Sequence, residues 1–140
     1  MPCPYFYPVD QLVWASAPKL PLGDAYTGSC RADPVQPAPP AADALVDLCN
    51  LGYARGRCAR FPEGAGPDAV RFAVTQDAAG AIRISWVRES DHHPFDHGVL
   101  EYTAEAQALV SAPVDGLVLQ QAQAYLASYL RRKKKVRRES

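Results

Sequence analysis

A chain of 140 residues is long enough for one compact domain and too short for two ordinary ones. Hydrophobic residues at 48% and charged residues at 21% exclude a disordered, fibrous or collagen-like class. The formal charge of zero joins two unlike parts: residues 1–130 carry 8 basic and 14 acidic side chains, a formal −6, whereas residues 131–140 carry 7 basic and 1 acidic, a formal +6.

The opening Met1-Pro2-Cys3-Pro4-Tyr5-Phe6-Tyr7-Pro8 has neither a basic start nor a proline-free apolar run. No span reaches the ~18 apolar residues of a membrane helix. The expected location is cytoplasmic, where thiols stay reduced and cysteines serve something other than disulfides.

Residues 1–67 hold 11 of the 13 prolines, nine of them in the first 40, which argues against much regular structure. The same stretch carries Tyr5, Phe6, Tyr7, Trp14, Tyr26 and Tyr53, too aromatic for a disordered linker. An irregular but ordered lobe is expected. Its one predicted helix runs from Ala41 to Leu51, with Leu45, Leu48 and Cys49 on one face and Gly52 as the stop. Gly64, Gly66 and Pro67 form a connector.

From Val70 the pattern turns to period two: Val70, Phe72 and Val74 alternate with Arg71, Ala73 and Thr75. Asp77-Ala78-Ala79-Gly80 reads as a hairpin turn, and Ile82, Ile84 and Trp86 form a second strand. A third follows in Val99 to Thr103 after a loop around Pro94, and a fourth in Ala108 to Ser111. Val114 to about Arg132 is a helix lined by Val118, Ala122, Tyr125, Leu126, Tyr129 and Leu130. The predicted fold is α+β: an antiparallel meander of three or four strands packed by a C-terminal helix, behind a cysteine-bearing lobe. In this division 1–67 is the metal-binding lobe, 68–130 the sheet and helix of the same domain, and 131–140 a basic tail.

Cys3, Cys30, Cys49 and Cys58 are spaced C-x26-C-x18-C-x8-C and lie entirely in the irregular half. A lobe with few backbone hydrogen bonds and a small core needs a covalent or coordinative staple. Four thiolates on one centre provide it, contributing on the order of 10 kcal/mol where no site exists in the unfolded chain. Zinc sites usually present C-x2-C or C-x4-C pairs, absent here, whereas cysteines delivered singly beside Pro4, Gly28, Gly52 and Gly56 suit a broader four-iron cube. Arg55, Arg57 and Arg60 would favour thiolates in the last loop. The expected cofactor is an iron-sulfur (4Fe-4S) cluster with a structural, redox-sensing or electron-transfer role. Zinc, in a stapled nucleic-acid or protein binding module, is the alternative. Small buried core cysteines are the bland reading.

The segment from Leu48-Cys49-Asn50-Leu51-Gly52-Tyr53 through Arg57-Cys58, with the opening Cys3-Pro4-Tyr5-Phe6, resembles small uncharacterised bacterial four-cysteine proteins. That resemblance implies metal or iron-sulfur binding and brings no catalytic residue with it.

His92, His93 and His97, with Asp91 and Asp96, have spacing compatible with a metal, although a polar turn with histidines packed at a sheet edge explains them more simply. No G-x-S-x-G elbow, phosphate loop or dinucleotide fingerprint occurs, so no catalytic residue is singled out and a non-enzymatic role is favoured. Arg131, Arg132, Lys133, Lys134, Lys135, Arg137 and Arg138 complement the negative end of the last helix. They are also candidates for non-specific nucleic-acid or acidic-partner contact. A solvated tail is the bland alternative.

Overall fold

The computed structural model describes residues 2–11, 22, 26–32, 38–39, 49–50, 52–53, 58, 61–62, 66–110 and 116–139. Most of the helix predicted over 41–51 and the arginines at 55, 57 and 60 lie outside these.

Strands β1 (Phe6–Gln11) and β2 (Tyr26–Cys30) form an antiparallel ribbon. Strands β3 (Ala69–Ala78), β4 (Ala81–Ser90), β5 (His93–Thr103) and β6 (Ala108–Val110) form a four-stranded antiparallel meander in sequential order. Helix α1 (Gly116–Glu139) follows. The α+β class read from the sequence is the observed one.

The meander follows its alternation. Phe72, Trp86 and Gly98 stand in cross-strand register, as do Val74, Ile84 and Leu100, and these apolar residues face the core. Arg71, Ala73 and Arg83 point away and are exposed. The predicted four-residue turn is tighter: Asp77 and Ala78 remain in β3, and only Ala79 (φ 53°) and Gly80 (φ 79°) turn, both in the left-handed conformation of two-residue hairpins. The expected loop around Pro94 is also a strand, because Asp91 (φ 50°) and His92 (φ 64°) complete a second tight turn and β5 starts at His93. A register shift at Arg88/Glu89 accommodates it.

Helix α1 packs on the apolar sheet face and on the ribbon. Tyr125 stacks on Phe72 with ring centroids 5.6 Å apart. Tyr129 donates to Asp77 Oδ2 at 2.6 Å, and Lys133 Nζ pairs with the same carboxylate at 2.9 Å. The helix continues through the basic residues to Glu139. Its core partners come from both halves of the chain: Cys3, Phe6, Leu22, Tyr26 and Cys49 join Val70, Ile84, Leu100, Val118 and Leu126 in one cluster. No described helix is long and apolar enough to cross a membrane.

Candidate metal centre

The turn Cys3-Pro4-Tyr5-Phe6 is the hub on which the other three cysteine segments converge. Proline at its second position fits a β-turn, and Phe6 N–H closes it on Cys3 O at 3.1 Å. Three different contacts then bring the other cysteines in. Cys3 N–H donates to Cys49 O at 3.0 Å. Phe6 stands opposite Cys30 in the ribbon, and Arg31 N–H donates to Tyr5 O at 2.8 Å. Phe61, whose N–H reaches Cys58 O at 3.1 Å, packs edge-on against Tyr5 with ring centroids 5.4 Å apart.

Each contact has a local cause. Gly28 permits the ribbon, because a Cβ there would overlap the Tyr7 carbonyl oxygen. Cys30 is held on its second side by reciprocal bonds with Ala38, at 2.7 and 3.1 Å. Cys49 and Asn50 lie in a wide, π-type helical turn, a geometry frequent at functional sites. The Asn50 amide grips the Tyr26 backbone at both ends, accepting from Tyr26 N–H at 2.9 Å and donating to Tyr26 O at 3.1 Å.

The electrostatics follow. None of the four cysteines is in a disulfide; Cys3 and Cys49 are buried, Cys30 and Cys58 partly exposed. Burial pushes the Cys3 thiol up from 9.0 to about 12. A hydrogen bond from the Tyr5 backbone opposes this, and the charges of Cys49, Cys30 and Cys58 each raise it further. Among the described residues, no three Cys, His, Asp or Glu side chains are gathered closely enough to grip one metal ion.

The remaining candidates separate. His92 stacks on Tyr53 with ring centroids 4.4 Å apart, Asp96 pairs with Arg88, and Asp91 N–H is bound by Asp68 Oδ2 at 2.8 Å. His93 and His97 lie on β5. Of the basic run, Arg131 turns inward, donating to Tyr26 Oη at 2.6 Å and Ser128 Oγ at 3.1 Å, and Lys133 is paired with Asp77.

Two buried amides next to this centre, Asn50 and Gln121, are not singled out by the sequence pattern. Gln121 had a visible signal: it falls between Val118 and Ala122 in the apolar row of α1, where a polar residue is out of place. Comparison with protein-family models, curated proteins and solved structures finds no match for the chain.

Proposed function

We propose that Cys3, Cys30, Cys49 and Cys58 hold an iron-sulfur cluster, and that this cluster orders the N-terminal lobe and exchanges electrons or senses oxidants. The supporting observation is that three separate cysteine-bearing segments meet the Cys3–Phe6 turn, through Cys3 N–H to Cys49 O, the pairing of Phe6 with Cys30, and the packing of Phe61 on Tyr5. Four thiols drawn onto one centre would repel one another when ionised. A cationic centre reverses that sign, binding four thiolates with release of their protons.

Spacing favours a cluster over zinc. A tetrahedral zinc with Zn–S of about 2.3 Å would draw its sulfurs to about 3.8 Å from one another. A cube instead takes one thiolate at each separated corner, which suits cysteines delivered singly along the chain. The Tyr5 amide on the Cys3 sulfur is the type of donor that tunes cluster potential. The partly exposed Cys30 and Cys58 leave one side of the centre open to solvent, which suits electron exchange with a small oxidant or partner.

The test is purification without oxygen, a visible spectrum, and assay of iron, sulfide and zinc. A brown protein with iron and sulfide in equal amounts, bleached by reductant, is expected. A colourless protein with one zinc transfers the site to the alternative, and four thiols that alkylate freely with neither metal bound remove both.

A further inference from the structure

We infer that Gln121 of α1 is a positioning residue for the cysteine centre, fixing the Cys3–Phe6 turn so that the Cys3 sulfur is presented in one place. The inference rests on the reading of the four cysteines as ligands.

Gln121 is fully buried in a helix row otherwise filled by Val118, Ala122 and Leu126. Its Nε2 donates to Cys3 O at 2.7 Å and to Phe6 O at 2.8 Å, the first and last carbonyls of the turn. Both amide protons are thereby used. The orientation is also fixed, since the flipped amide would set its oxygen against two carbonyl oxygens. The cost falls on Oε1, which is buried and finds no hydrogen-bond partner among the described residues. An apolar side chain of the same length would avoid that orphan, so the amide is explained by the two carbonyls it holds.

The consequence concerns Cys3. Its N–H is held by Cys49 O and its C=O by Gln121, so both flanking peptide groups are fixed and only side-chain rotation remains to move the sulfur. Without Gln121 the carbonyl end is tied only by the turn's own Phe6 N–H, and the turn can open away from the other three thiols.

The variant is Gln121→Met, with Tyr26→Phe as the control. The control removes a buried hydroxyl bonded to Ala124 O at 2.9 Å and to Ser128 Oγ at 2.7 Å on the same helix, without touching the turn. The first readout is residue-by-residue alkylation of the metal-free folded protein, followed by mass spectrometry and normalised to global stability. Gln121→Met is expected to alkylate Cys3 roughly tenfold faster than wild type, with Cys30 and Cys58 unchanged, while the control changes all four in parallel. Cys3 labelling that rises only in proportion to global unfolding in both variants would overturn the inference.

In protein loaded with iron and sulfide, iron loss to a chelator should accelerate by a similar factor in Gln121→Met alone. Failure of wild type to take up metal would instead strike at the cluster reading, and the alkylation pattern would still decide the role of Gln121. Should Gln121→Met not fold, hydrogen exchange on wild type decides. Cys3 and Phe6 amides protected as strongly as the middle of α1 support the clamp, and loop-like exchange there rejects it.

Discussion

The backbone bond from Cys3 N–H to Cys49 O, 3.0 Å long, ties the start of the chain to a wide helical turn 46 residues later, at the one point where two buried cysteines meet. It fixes the backbone of Cys49 beside that of Cys3 independently of any metal. Cys49→Ala should therefore leave the metal-free fold nearly intact, at a cost of about 1 kcal/mol, because the thiol is a small buried apolar group. The same change should remove stoichiometric iron and sulfide. Full metal content in Cys49→Ala would exclude Cys49 as a ligand. His92→Ala, which removes the stack on Tyr53, should retain all of the metal.

The pH dependence of stability separates metal-free from loaded protein. An unfolded cysteine ionises near 9.0, while folded Cys3 keeps its proton to about 12. Between those values the unfolded chain binds fewer protons than the native one, so stability is complete below pH 9 and falls as pH rises toward 12. The loss amounts to at most about 4 kcal/mol. Tyr53, raised by burial and by its bond to Glu89, and Tyr129, raised by its bond to Asp77, act in the same direction above pH 10. In loaded protein Cys3 is already a thiolate, so its share of the alkaline loss should vanish and be replaced by metal release on acidification. Denaturant titrations from pH 7 to 11, with and without metal, measure this directly.

The sheet was legible because Val70, Phe72 and Val74 in β3 and Ile82, Ile84 and Trp86 in β4 alternate with outward-facing residues and share one buried face. The ribbon was not, because Pro8 within Phe6–Gln11 and the other prolines around it argue against a strand. It survives because a two-stranded ribbon pairs on one side only, and its register shifts between Pro8 and Asp10. Pro94 misled for a related reason: among the described residues β6 pairs with Glu101, Tyr102 and Thr103, so Pro94 lies beyond that pairing on β5. The grouping of the four cysteines in one half was visible in their positions. What joins them was not, since it consists of backbone bonds and the packing of Tyr5 on Phe61, contacts that residue identity alone does not encode.

Gly98 illustrates a cross-strand requirement that can be tested by one methyl group. It stands opposite Trp86, and a Cβ there would lie 2.6 Å from the indole nitrogen. The ring lies over the glycine, with the Arg88 guanidinium 5.6 Å from its centroid. Gly98→Ala should force the indole off its rotamer and cost about 2 kcal/mol, more than the β-propensity gained by adding a methyl. A shift in tryptophan emission together with a lower denaturation midpoint is the expected result. Unchanged values for both would mean the ring repacks without strain.

The basic end of α1 divides into residues that serve the fold and residues that extend beyond it. Arg131 completes the Tyr26–Ser128 network and Lys133 the Asp77 pair, so Arg131→Ala should lower stability by about 1 kcal/mol, and Lys133→Ala by less, since its pair is partly solvated. Neither should be central to a polyanion contact. Lys134, Lys135, Arg137 and Arg138 continue the helix and belong to the run whose sequence makes it a candidate for non-specific nucleic-acid contact. Deleting 134–140 is therefore expected to leave the denaturation midpoint unchanged while weakening binding to single- or double-stranded DNA. The dependence of log affinity on log salt should flatten by about 0.9 for each duplex phosphate that the shortened helix no longer neutralises. A chain lacking 134–140 that binds DNA as tightly, with the same salt slope, would show that the positive end of the helix serves only to balance its dipole and the acidic body.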